Sequence, residues 1–163
     1  MFDRERLVYR ATLDLVERLI DDVTNDELSK HPLPGMNPPR WILGHLAVST
    51  DSGLRVLRQE PALSPEWRQA FGPGSENDVE NGLRPTKDVL LTALRGGHER
   101  VLAALDDADE AVLAQPHGIT FASLDRGFPT RGDLLAFLMG GHEAFHIGQL
   151  SAWRRASGRS PLF

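Results

Sequence analysis

The stretch Gly141-His142-Glu143-Ala144-Phe145-His146-Ile147-Gly148-Gln149-Leu150 decides how this chain is read. Residues four apart stack on one side of an α-helix, so His142 and His146 direct both imidazoles at one point. Leu135, Leu138 and Met139 precede His142 on that side, and Leu150 and Trp153 follow His146. Both rings therefore belong to the apolar stripe that has to face a core. Two unpaired imidazoles are costly there. A shared metal ion, or hydrogen bonds to backbone or side-chain acceptors, removes the cost.

The nearest complement upstream is Trp41-Ile42-Leu43-Gly44-His45-Leu46-Ala47, in which His45 shares a helical stripe with Trp41, Ile42 and Leu46. A helix with one inward histidine facing a helix with two supplies three nitrogen ligands around one interior point. Such a site leaves coordination positions open for water or substrate. His45, His142 and His146 are thus the candidate metal ligands, and imidazole alone suits zinc, nickel, copper and iron alike.

His142-Glu143-Ala144-Phe145-His146 also fits the H-E-x-x-H pattern of zinc peptidases. That motif takes a third ligand from further along, and the sequence beyond His146 has no His, Asp or Glu. The strand that would hold a peptide is missing too. A peptidase is a poor reading. Glu143 is offset from His142 by roughly 100° around the helix; it is either a base behind the ligands or a solvent-exposed residue, and no catalysis is assigned to it. His98, one turn from Leu94 and Leu102, is read as a hydrogen-bonded core or boundary residue in preference to a fourth ligand. Gln149 either bonds a metal-bound water or ligand ring, or bonds to backbone. His31 and His117 fall in irregular segments and are expected at the surface.

The same periodicity organises the rest of the chain. Val8, Ala11, Leu15 and Leu19 give a first helix over roughly residues 3–23. The proline-rich run His31 to Pro39 interrupts it, and a second helix opens at Pro38 or Pro39, since proline is tolerated in a first turn. It runs towards Leu57, with Gly44 placed to let a neighbour come close. From Glu60 to Pro85 the composition turns to Pro, Gly, Ser and Asn. This long connection is expected to cross the bundle and roof the site, anchored by Trp67 and Phe71, with a short helix over Pro65 to Phe71. A third helix starts at the N-cap Thr86, with Leu90, Leu94, Val101 and Leu105 inward, and an irregular stretch covers residues 106–129. Thr130-Arg131-Gly132-Asp133 is a capping box for a fourth helix reaching Ala156, with Gly158 as its stop. Thr120-Phe121-Ala122 is at most a short extended piece. No strand pattern is present, so the fold class is all-α, a four-helix bundle in a single domain over residues 1–163.

Composition narrows the function. Net charge is −5, from 18 basic and 23 acidic residues, without a basic block, which argues against nucleic acid. Arg154, Arg155 and Arg159 read as favourable charge at a helix C-terminus. Cysteine is absent, so disulfides, thiolate zinc sites and cysteine nucleophiles are excluded. The charged start of the sequence and the lack of a long apolar run point to the cytoplasm and away from a membrane.

At the two quoted histidine stretches the sequence resembles the DinB-like (DinB/YfiT) superfamily of metal-dependent four-helix-bundle proteins, and the helix order extends the likeness over nearly the whole chain. The resemblance implies an up-down-down-up topology with the long connection between the second and third helices, and often a homodimer. It implies a divalent metal, zinc or nickel, on the histidines matching His45, His142 and His146. It also implies a small-molecule substrate with a low-molecular-weight thiol such as bacillithiol or mycothiol, in thiol S-transferase chemistry. The rival expectations are a hydrolase using a metal-bound water and a metal- or small-molecule-binding protein without turnover.

Overall fold

The computed structural model describes residues 2–77, 82–119 and 127–162. The first helix, α1, spans Asp3–Ile20 and buries Tyr9, Thr12, Val16, Leu19 and Ile20. That face lies one residue round from the expected line through Val8 and Ala11, and Val8 is 45% exposed. The cause is polar. Thr12 and Tyr9 turn inward because Glu143 and His98 lie opposite them, and an apolar count cannot register such partners.

Helix α2, Pro39–Val56, begins with Pro39 in its first turn, as the sequence requires. Every residue from Pro39 to Val48 is buried, so α2 is the central rod and has no solvent face over that length. Helix α3, Pro65–Phe71, lies where the short helix was expected in the long connection. Phe71 is fully buried and meets Trp67 edge-on at 5.6 Å between ring centres. Helix α4 covers Lys87–Asp106, with the Thr86 hydroxyl accepting from the Val89 N–H.

The stretch read as irregular between α4 and residue 129 contains α5, a single turn at Glu110–Leu113, capped by the Asp109 carboxylate at the Ala111 N–H. One capped turn is too short to carry a hydrophobic period, so the pattern missed it. The expected extended piece at Thr120-Phe121-Ala122 lies outside the described residues.

Thr130 and Asp133 form the reciprocal capping box at the start of α6, Arg131–Phe137. The last long rod is not one uniform α-helix. A π-helical turn, Leu138–His142, joins α6 to α7, Glu143–Ala156. Such turns take in an extra residue, and they recur at functional sites. Gly158, at φ +77°, lies just beyond the end of α7, as expected. No strand occurs among the described residues, and no helix is long and apolar enough to cross a membrane.

The rods close on one another: α2 packs on α4 and on α7, and α1 packs on both α4 and α7. An all-α bundle is the result. The α2–α4 seam is tight because Gly97 has no side chain; a Cβ there would stand 2.0 Å from the Thr50 hydroxyl oxygen. The arginines near the C-terminus do more than face a helix end. Arg154 is buried, donates to the Leu19 carbonyl at 2.8 Å and pairs with Asp22, while Arg159 reaches Glu27 at 2.8 Å. They tie α7 to the end of α1.

Gly97→Ala is expected to destabilise the protein by roughly 1–3 kcal/mol through overpacking, read as a lower urea midpoint with an unchanged slope.

Candidate metal centre

His45 on α2, His142 at the end of the π-turn and His146 on α7 converge between the two rods, and one ring nitrogen from each lies within 4.8 Å of the other two. The Nε2 atoms of His45 and His142 are 3.2 Å apart. Two nitrogens sharing a tetrahedral ion are separated by roughly 3.3 Å, so this spacing fits a common ligand.

The opposite ring nitrogens explain the orientation. His45 Nδ1 donates to the Phe71 carbonyl at 2.7 Å, which fixes the tautomer and leaves Nε2 with a free lone pair. This contact exists because α3 presses on α2 at Gly44, where a Cβ would fall 2.4 Å from the Phe71 ring. Trp41 lies parallel to the His45 ring, 4.7 Å between centres, and holds its plane. His146 Nδ1 donates to Gln149 Oε1 at 3.2 Å; that oxygen also accepts from Asn37, and Asn37 accepts from Asn77. Of the alternatives for Gln149, the bond to a histidine ring is the one found. His142 packs edge-on against Phe137, and its buried Nδ1 is without a hydrogen-bond partner.

Burial pushes all three imidazoles towards the neutral form. His142 is held down to about 3, by burial first and then by its neighbours His146 and His45. His146 is held at about 4 for the same reasons, with the Gln149 bond opposing. His45 is lowered by burial, partly offset by Phe71. Neutral imidazole is the form that ligates a cation.

Glu143 points the other way. It is 3% exposed, with one oxygen accepting from His98 Nε2 at 2.8 Å and the other from the Thr12 hydroxyl. His98, 2% exposed, stacks on Tyr9 at 3.7 Å. Burial and the Glu143 charge together raise the Tyr9 phenol well above its ordinary value. Glu143 is therefore neither solvent-exposed nor a base behind the ligands, and His98 is the bonded core residue that was expected. His31 is exposed and meets the Met36 carbonyl at 3.0 Å. His117, expected at the surface, is buried with Nδ1 accepting from the Ile119 N–H.

A cavity of about 560 Å³ opens beside the three histidines. Val48, Ile119, Leu134, Phe137, Leu138 and Phe145 form its apolar walls, with Ser49, Ser52 and Arg68 as polar lining. No carboxylate lines it among the described residues. Asn37, Trp41 and Arg68 are site residues that sequence reasoning missed. Trp41 registered only as an apolar position, and the other two occur in segments without periodicity.

The DinB superfamily matches this chain over residues 8–150. A solved structure of a conserved protein from Enterococcus faecalis superposes with a TM-score of 0.73 at 18% identity, covering 96% of each chain. No curated protein matches the sequence.

Glu143→Ala strands the His98 and Thr12 donors in the core, and a loss of roughly 2–3 kcal/mol is expected in chemical unfolding. Metal content should be retained, which a peptidase-like base would also allow, so the stability loss is the diagnostic. A second expectation concerns acid. Histidines held below the ordinary 6.5 are neutral in the fold and gain their protons on unfolding. Their contribution to stability is complete above that pH and declines as pH falls through about 4 for His146 and towards about 3 for His142. Thermal melts of metal-free protein across this window should record the decline, and His142→Phe should flatten it.

Proposed function

The chain belongs to the DinB superfamily, and on that footing we propose that it binds one divalent metal ion, zinc or nickel, through His45, His142 and His146, and acts on a small molecule together with a low-molecular-weight thiol. The observation that carries this reading is the shared direction of the three rings: His45 and His146 have their Nδ1 atoms committed to Phe71 and Gln149, so their remaining lone pairs face His142.

When bound, the cation would supply a Lewis acid that lowers the pKa of a thiol or water ligand. The chain's own residues supply the rest. The three imidazoles are kept neutral by burial, so a cation meets no competing protons at neutral pH. Phe71, Gln149 and Trp41 hold two of the rings in place before any ligand arrives. The apolar walls exclude bulk water and accept the carbon skeleton of a substrate.

One observation favours thiol transfer over hydrolysis. A carboxylate beside the nucleophilic water commonly serves such a hydrolase as general base, in addition to the cation's own effect on that water. Glu143 is spent on His98 and Thr12, and the cavity lining has no other carboxylate among the described residues. A thiol is far more acidic than water when free, so on a cation it would lose its proton to solvent without such a base.

Protein purified without a histidine tag is expected to contain about one metal per chain by elemental analysis, with His45→Ala, His142→Ala and His146→Ala each losing it. A cobalt-loaded sample should change its visible spectrum on adding a cellular thiol. Folded protein that takes up no zinc, nickel or cobalt would overturn the proposal. An unchanged spectrum together with ester turnover would replace it with the hydrolase.

A further inference from the structure

Among the described residues the cavity beside the histidines has one cationic side chain, and it is carried by the same short helix that holds His45. Arg68 lies three residues before Phe71 on α3, and the Gly72 N–H closes the turn onto the Arg68 carbonyl at 2.9 Å. Phe71 is held by Gly44 and by His45 Nδ1. The turn therefore fixes the Arg68 backbone relative to His45, and the side chain lines the cavity from that point. It is exposed, and among the described residues it makes no hydrogen bond, ion pair or ring contact.

No carboxylate is paired with it among the described residues. Asp51, which borders the adjoining cleft together with Arg68, has its two oxygens taken by the Ala62 and Leu63 N–H groups at 2.8 and 3.0 Å. Among the described residues the cavity itself offers no carboxylate. Apolar side chains such as Val48 and Phe145 line the same cavity as Arg68 and the histidines. A guanidinium presents a planar fork of donors that matches a carboxylate in two-point contact.

We propose that the molecule bound here is a small organic acid, with a carboxylate paired to Arg68, an apolar stem along Val48 and Phe145, and a donor atom at its far end directed at His45, His142 and His146. This rests on the metal reading above and deepens it by assigning the substrate class. Arg68 is then the residue that selects acids over their neutral counterparts.

The probes are ω-mercaptohexanoate and ω-mercaptohexanol, titrated calorimetrically into cobalt-loaded protein. The acid is expected to bind about tenfold tighter than the alcohol, the worth of one charge-assisted two-point contact. Arg68→Gln should erase the preference, leaving cobalt content, the circular dichroism spectrum and the alcohol's affinity unchanged, and Arg68→Lys should restore part of it. Equal binding of the two probes to the wild type, or an undiminished preference in Arg68→Gln, overturns the proposal. If cobalt does not bind, or ignores both thiols, the metal–thiol reading fails separately. Hexanoate against hexanol then decides the matter in metal-free protein: a preference lost in Arg68→Gln supports the acid site, and no preference refutes it.

Discussion

Between α1, α4 and α7 the carboxylate of Glu143 lies almost completely out of water, and what surrounds it follows from the need to satisfy its oxygens. An unpaired carboxylate in such a place would cost several kcal/mol. His98 and Thr12 remove that cost, and in doing so they fix which side of α1 faces inward and bring three helices together at one point. Tyr9 stacks on His98 and completes the cluster. The outward displacement of Val8 is the other side of this arrangement.

The consequence for the candidate metal centre is a division of labour between adjacent residues. Glu143 is turned to the α1–α4 side, while His142 faces α2 and the cavity. The π-turn ends at that junction. Where an H-E-x-x-H helix of a peptidase puts its glutamate to chemical use, the glutamate here braces the helix that carries His142 and His146. The motif is the same string of letters with a different job.

On the α2 side the constraint is closeness. Gly44 admits the Phe71 ring, the Phe71 carbonyl takes the His45 proton, and Arg68 stands one turn earlier on the same short helix. The long connection is thus more than a roof. It sets the His45 tautomer through Phe71 and contributes Arg68 to the lining of the cavity, both from the seven residues of α3.

What the sequence determined by itself was whatever depends on local periodicity and local chemistry. The helix starts at Pro39 and Thr130, the short helix at Pro65, the stop at Gly158 and the pairing of His142 with His146 were all readable, because spacing within a helix fixes which residues share a face. The inward position of His45 and the close approach at Gly44 were readable for the same reason. Only the tertiary structure decided the partners. Glu143 with His98, Gln149 with Asn37, and Asp22 with Arg154 join residues far apart in the chain, and no periodicity records which neighbour a buried polar atom will find. The π-turn, the capped turn of α5 and the burial of His117 belong to this second group. The hydrogen bonds of α5 and His117 are local, between Asp109 and Ala111 and between His117 and Ile119, but each feature spans too few residues to leave a periodic signal.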